Sequence, residues 1–176
     1  LENFFSGIIV LIGKQVRPGD TIEFGTVYGK VDKINVRATF IKTEDNALIA
    51  IPNTQIVSKE FRNWTLNGDI RRNQFEVGVA YGSDIQFVIE TMLEIMNASN
   101  LVLKVIPPDV LFIDFASSAI LLRARYWVHV GSRSISASLL RRRMEEVFRE
   151  RGIVIAFPQL DVHIDNAAAR PSLLPV

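Results

Sequence analysis

Residues 70–96 read IRRNQFEVGVAYGSDIQFVIETMLEIM, an alternating strand followed directly by an amphipathic helix. Apolar residues at every second position from Phe75 to Tyr81 predict a strand with one buried face. Ser83 and Gln86 have the spacing of a capping box, in which each side chain satisfies a free backbone amide of the first helical turn. The helix is predicted to bury a stripe of residues at three-and-four spacing: Ile85, Val88, Ile89, Met92, Leu93 and Met96.

The sequence after this helix predicts two more strands and a second helix. Strands are expected at 110–115 and 120–130, and the second of them alternates between an apolar and a mixed face. A helix is expected from 134 to 151, where Gly152 provides a C-terminal stop, and a short strand at 153–155. The inner face of that helix is predicted to consist of Ile135, Leu139, Leu140, Met144, Val147 and Phe148. Mixed strands and helices of this kind predict an α+β domain.

The residues before position 70 predict a small all-β unit. The segment 27–43 is rich in β-branched residues, but its apolar positions change from odd to even numbers, so this long strand is expected to contain a bulge or a bend. Pro52 and Asn53 interrupt the strand pattern and precede a predicted helical turn at 54–57. Further strands are predicted at 21–24, 48–51 and 58–65. Bent strands and tight turns over so few residues predict a small curled barrel or sandwich.

An apolar segment opens the chain. Residues 4–12 are apolar on nearly every helical face, so a helix there needs burial on all sides in protein or lipid. Lys14 and Arg17 follow, and basic residues just after an apolar helix are typical of the cytoplasmic end of a membrane segment. From this segment alone, the end of a membrane helix and a helix docked on the domain's own core are equally supported. Because the chain starts at Leu1 without an initiator Met, we expect it to be a fragment.

Composition disfavours most enzyme classes. The 176 residues include no cysteine and two histidines, which excludes disulfides and thiolate chemistry and leaves little for a histidine-built metal site. There is no glycine-rich phosphate loop and no nucleophile with a base at a recognisable spacing. The formal net charge is +1, so the chain as a whole gives no reason to expect nucleic acid. The sequence therefore predicts a protein that is not an enzyme and needs no cofactor.

Several short motifs occur here in the order and rough spacing of the small-conductance mechanosensitive channel (MscS) family. They are Asn3-Phe-Phe-Ser-Gly7, Arg17-Pro-Gly-Asp20, Ile51-Pro-Asn53, Arg71-Arg-Asn73, Gly78-Val-Ala-Tyr81 with Ser83-Asp-Ile85, and Pro158-Gln-Leu-Asp161. Each motif alone is weak, but the ordered set is specific. The chain therefore resembles the MscS family over residues 3–165.

The resemblance implies an organisation in five parts. Residues 1–16 would be the end of the last transmembrane (pore) helix, 17–66 an Sm-like β-domain, and 67–157 a ferredoxin-like α+β domain. Residues 158–165 would supply one strand to a small C-terminal barrel with a strand from each subunit, and 166–176 would be a tail. The resemblance thus implies a short N-terminal helix, a β-domain, an α+β domain and a C-terminal strand.

The resemblance also implies a function. Members of the family are ion channels that open under membrane tension and release ions and small osmolytes on hypo-osmotic shock. Seven identical subunits form a hollow cytoplasmic cage with openings in its wall, below a pore in the lipid bilayer of the inner membrane. This chain would form the cage portion of one multi-pass subunit, and its partners would be further subunits, lipid, ions and osmolytes, without nucleic acid.

The resemblance implies roles for individual residues. Asn3 and Gly7 would pack the pore helix, and Pro52 and Asn53 would couple that helix to the β-domain. Arg71 and Arg72 match the arginines beside the wall openings, where a rim charge would raise the local anion concentration. Because adjacent strand residues face opposite ways, one arginine could line an opening while the other forms a salt bridge between domains or subunits. The C-terminal barrel strand would present Asp161, His163 and Asp165 on one face.

Two other classes of protein compete with the channel. Sm-like folds can bind RNA, and a basic patch could be assembled from Arg123, Arg125, Trp127 and the run 141–143. Three glutamates close to that run favour a solvated helix face instead. The second competitor is an α+β enzyme, whose nearest candidates are Asp114, Ser117 and Ser118. A strand-to-strand turn explains those three residues better.

Overall fold

The computed structural model describes residues 5, 8, 9 and 13–158. Its strands are β1 (Thr21–Phe24), β2 (Val27–Ile34), β3 (Ala38–Thr43), β4 (Leu48–Pro52), β5 (Arg62–Asn63), β6 (Ile70–Val79), β7 (Asp109–Phe115) and β8 (Ile120–His129). Its helices are α1 (Asn53–Ser58), α2 (Ile85–Ala98) and α3 (Arg133–Glu150), with a 3-10 turn at Val130–Ser132 before α3. None of the helices in this described part of the chain is both long and apolar enough to span a membrane.

The first domain is an antiparallel sheet of five strands in the order β4-β3-β2-β1-β5. Its apolar core consists of Val16, Ile22, Val31, Ile41, Ile51 and Ile56. Gly29 allows β2 and β3 to approach closely, because a Cβ atom at this position would lie 2.4 Å from the Lys42 carbonyl oxygen. The predicted small β-domain is therefore present, with α1 packed against the sheet that precedes it.

Two predictions for the β-domain were wrong in detail. The segment 27–43 is not one long strand but the hairpin β2–β3, which the Asn35 amide closes by donating to the Ala38 carbonyl over 2.9 Å. The predicted bulge exists between Val31 and Lys33, and the hairpin turn adds a second phase change. The strand predicted at 58–65 is shorter: Ser58 belongs to α1, and only Arg62–Asn63 pairs with β1.

The second domain has a split β-α-β topology. Strand β8 lies between β6 and β7 and is antiparallel to both, and a bridge from Ile155 to Val79 extends the sheet on the β6 side. This order matches the predicted ferredoxin-like arrangement. Helices α2 and α3 cover one face, where the alternate residues Leu122, Ala124, Tyr126 and Val128 of β8 are fully buried.

Helix α2 begins one residue later than predicted. The cap is Asp84, whose Oδ1 accepts a hydrogen bond from the Phe87 amide over 3.1 Å. Ser83 instead donates its hydroxyl to the Ala80 carbonyl, so it belongs to the preceding turn. A carboxylate caps a helix as well as a hydroxyl does, and spacing alone could not distinguish them.

The predicted inner face of α3 was partly wrong. Ile135 is 52% exposed and Leu139 is 38% exposed, whereas Ser136 is completely buried and donates to the Arg133 carbonyl. The buried side of α3 consists of Ser136, Leu140, Met144, Val147 and Phe148. The buried residue of the first turn is therefore the small polar Ser136, while Ile135 and, one turn later, Leu139 lie at the surface.

Candidate functional site

The chain before β1 joins the β-domain through a buried valine. Lys14 has a left-handed backbone with φ of 52°, which ends the preceding helical residues, and Val16 is only 2% exposed in the β-domain core. A cleft of about 150 Å³ lies between these residues and α1. Its lining residues are Ile9, Gly13, Gln15, Val16, Ile56 and Val57. The N-terminal segment and α1 therefore face each other across this cleft.

Asn53, predicted as a coupling residue, is fully buried at the start of α1. Its Oδ1 accepts from the Thr39 hydroxyl over 2.9 Å, and its Nδ2 donates to the carbonyls of Asn35 (2.8 Å) and Val36 (3.1 Å). The backbone N–H of Asn53 also donates to the Arg37 carbonyl. Asn53 thus ties the β2–β3 turn to α1, while Pro52 ends β4 opposite Ala38 and is exposed.

Arg71 lies at the boundary between the two domains. Its guanidinium carbon stacks 3.4 Å from the centre of the Trp64 ring, and Trp64 donates its indole N–H to Glu23 over 3.1 Å. Nη1 of Arg71 is buried without a hydrogen-bond partner among the described residues. Burial, together with the positive charge of Arg133, lowers the pKa of Arg71. Arg71, the second residue of β6, therefore contacts the β-domain.

Arg72 points to the opposite side of the sheet and is exposed. On that face Arg125 forms a two-point ion pair with Asp109, with Nε donating to Oδ1 over 2.7 Å, and Arg123 pairs with Glu76 over 2.6 Å. Arg72 forms no salt bridge within the described residues, although its charge helps to lower the pKa of Asp109. The charged side chains on the outer face of the sheet therefore mostly pair with one another. Arg72 is the arginine of this group that has no salt bridge among the described residues.

The Asp109–Arg125 pair predicts an acid-dependent contribution to stability. The hydrogen bond from Arg125 lowers the pKa of Asp109 in the folded protein, so the pair stabilises above the unfolded-state pKa and is lost as the pH falls through the folded-state value. Asp109→Asn should lower the urea midpoint slightly at pH 7, because the pair is partly exposed. The difference from wild type should shrink toward zero in strong acid.

Urea unfolding at several pH values checks this, with Asp32→Asn as the matched control. Asp32 is an exposed carboxylate without an ion pair among the described residues. An Asp109→Asn deficit that stays constant into strong acid would show that the loss is not electrostatic.

Five predicted site residues lie outside the described residues: Asn3, Gly7, Asp161, His163 and Asp165. Within the described residues, no group of three or more His, Cys, Asp or Glu side chains could hold a metal ion. Two junctions are described above: one between the N-terminal segment and α1, and one between the two domains at Arg71, which also interacts with the Tyr28 side chain. Among their residues, the sequence analysis missed Val16, Ile56, Tyr28 and Trp64. Only Val16 carried a signal, as a single apolar residue between Gln15 and Arg17.

Comparisons with known proteins identify the class to which this arrangement belongs. Residues 1–66 match the family model described as "Mechanosensitive ion channel, beta-domain", and residues 73–155 match "Mechanosensitive ion channel MscS, C-terminal". The fold is thus that of the β-domain and the C-terminal domain of mechanosensitive channels. The chain belongs to the MscS family and corresponds to its β-domain and C-terminal domain.

Individual relatives agree with this assignment. The chain is 37% identical over 165 residues to mechanosensitive channel MscK of Escherichia coli, a match that covers 93% of this chain and 15% of MscK. It is 29% identical over 168 residues to the small-conductance mechanosensitive channel of Helicobacter pylori, covering 94% of this chain and 61% of that protein. The crystal structure of H. pylori MscS in its closed state superposes with a TM-score of 0.85, covering 94% of this chain and 65% of that one.

Proposed function

We propose that this chain is part of a mechanosensitive ion channel subunit that opens under membrane tension. The observation that carries the proposal is the ordered match of both domains to MscS family models, together with the close superposition on H. pylori MscS. The relatives matched are channels, so the alternative of an Sm-like RNA-binding module is not favoured. The chain spans only 15% of the length of MscK. That the whole protein also contains membrane-spanning parts is therefore proposed here as well.

The structure supports a mechanical route between the membrane and this region. Val16 is buried in the β-domain core immediately after the N-terminal helical residues, and Ile56 of α1 is 3% exposed across the adjacent cleft. We infer that force on the preceding helix reaches the β-domain through these apolar contacts. Pro52 and Asn53 would contribute by fixing where α1 starts, with Asn3 and Gly7 packing the helix itself.

The assembly expected from the family is also proposed for this chain. Identical subunits, seven by resemblance, would form a hollow vestibule on the cytoplasmic side of the inner membrane, with residues 158–165 closing a small barrel. The exposure and free charge of Arg72 support it as the residue that lines a wall opening. The stacking of Arg71 on Trp64 supports an interdomain role for that arginine.

Patch recording of the full-length protein tests the channel function. The gene product should be expressed in bacterial cells that lack their own mechanosensitive channels, and membrane patches held under graded suction. Current steps that appear above a suction threshold, and survival of the cells on dilution into low-osmolarity medium, are expected. Correctly inserted protein without tension-gated current would disprove the proposal.

A further inference from the structure

A cleft of about 240 Å³ lies between the β-domain and the turn that leads into α3. The β-domain supplies one wall from the face of β1, β2 and β3 that is opposite the apolar core, and the 3-10 turn supplies the other wall. Its lining includes Tyr28, Lys30, Lys42, Glu44, Val130 and Gly131. The cleft is separate from the one beside Val16 and Ile56.

Two unpaired lysines stand side by side in this cleft. Lys30 and Lys42 are direct partners in the β2–β3 register, a spacing at which the Cβ atoms of opposite residues are about 5 Å apart. Both side chains are exposed, and neither forms an ion pair within the described part of the chain. Like charges directly opposite each other on a sheet are destabilising, and an anion bound between them would offset this repulsion.

The backbones of β2 and β3 lie close together next to the two lysines. Gly29 precedes Lys30, and the absence of a side chain there lets the β2 and β3 backbones approach to contact distance. Any larger residue would collide with the Lys42 carbonyl oxygen and the Ile41 side chain. The sheet backbone therefore fixes the spacing at which the two lysine side chains leave β2 and β3.

Further positive charge lies beside the cleft. Arg71 lies near Tyr28, which lines the cleft, and has a buried Nη1 without a hydrogen-bond partner among the described residues. Arg133 is close enough to Arg71 to disfavour its charge. Glu23 also lies near Arg71, but it is already bonded to Arg62 and Trp64. The described lining residues include two lysines and one carboxylate, Glu44, so the lining carries a net positive charge.

We propose that this interdomain cleft binds a small phosphate-bearing anion through Lys30 and Lys42. A phosphate group accepts hydrogen bonds from several directions, and lysine ammonium groups bind it as point charges without a fixed geometry. The volume admits a pyrophosphate-sized solute. Because the cleft contacts both domains, a bound anion would hold the β-domain against the start of α3. Binding does not depend on the channel function.

Isothermal titration calorimetry of the purified chain with inorganic pyrophosphate tests the site. At about 50 mM salt, where screening is weak, we expect saturable binding with a Kd of about 1 mM or tighter. The double variant K30Q/K42Q should bind at least about tenfold more weakly, because both charged donors are lost. Glu44→Gln should bind several-fold more tightly than wild type, since it removes the opposing charge.

The matched control is K33Q/K59Q, which removes the same net charge from exposed lysines elsewhere in the β-domain. It should bind pyrophosphate like wild type. No saturable heat with wild-type protein, or equal losses in the two double variants, would overturn the proposal. Flotation with phosphatidylcholine vesicles that contain phosphatidic acid separates the sources: retention that K30Q/K42Q abolishes would assign the phosphate to a lipid, and absence of retention assigns it to a free solute.

Discussion

Replacing Asn53 with leucine is expected to lower the free energy of unfolding of the β-domain by about 3 kcal/mol. Leucine has the same branched arrangement of side-chain heavy atoms but makes none of the three side-chain hydrogen bonds of Asn53. The hydroxyl of Thr39, which is completely buried, would lose its acceptor, and two turn carbonyls would lose their donor. The β2–β3 hairpin and α1 would both loosen. Urea unfolding followed by Trp64 fluorescence measures the change, in a background in which the second tryptophan, Trp127, is replaced by phenylalanine.

Two further variants show whether the hydrogen bonds are responsible. Asn97→Ala removes the same side chain from an exposed position of α2 and should change stability by less than about 0.5 kcal/mol. Asn53→Asp keeps the acceptor for Thr39 but removes the amide donor to the turn, so it should also be destabilised. An Asn53→Leu protein as stable as wild type would mean that the turn does not depend on this residue.

Replacing Val16 with aspartate is expected to have the largest effect at the N-terminal junction. Val16 is 2% exposed among apolar core residues, so a carboxylate there must either be buried unpaired or leave the core. Either outcome should cost the β-domain about 3–5 kcal/mol. In the full-length protein, the preceding helix would lose its apolar contact with the domain, and channel opening should require clearly higher suction or fail.

Gln15→Asp is the control for Val16→Asp, because it adds the same charge one residue earlier at an exposed position. Its stability should lie within about 0.5 kcal/mol of wild type, and its suction threshold should be unchanged. The two variants must be compared at equal amounts of inserted protein. Equal thresholds for Val16→Asp and wild type would argue against force transfer through this valine.

Elements with strong local periodicity could be predicted from the sequence. The alternation in β8 correctly gave its buried face, and the spacing of α2 correctly gave a stripe in which Val88, Met92 and Met96 are buried. Both patterns follow from the geometry of one element against one core. The hairpin at 35–37 was missed because a bulge and a chain reversal produce the same change in apolar phase.

The candidate site could be predicted only in part, since its residues meet across long sequence separations. The pleat of β6 correctly indicated that Arg71 and Arg72 face opposite ways. It could not indicate that Trp64 would lie beneath Arg71, because that contact depends on how β5 places the linker between the domains. Asn53 was singled out from its motif, but its three side-chain partners are 14 to 18 residues away.

The sequence by itself determined the class of each domain, the order of its main elements and the family resemblance, because these follow from local patterns and short motifs. The tertiary structure decided which side chains meet: Val16 in the β-domain core, Arg71 on Trp64, and Lys30 beside Lys42 below the turn into α3. Those contacts depend on sheet register and on the packing of one domain against the other. Neither the register of a sheet nor the packing of two domains can be derived from the periodicity of a single segment.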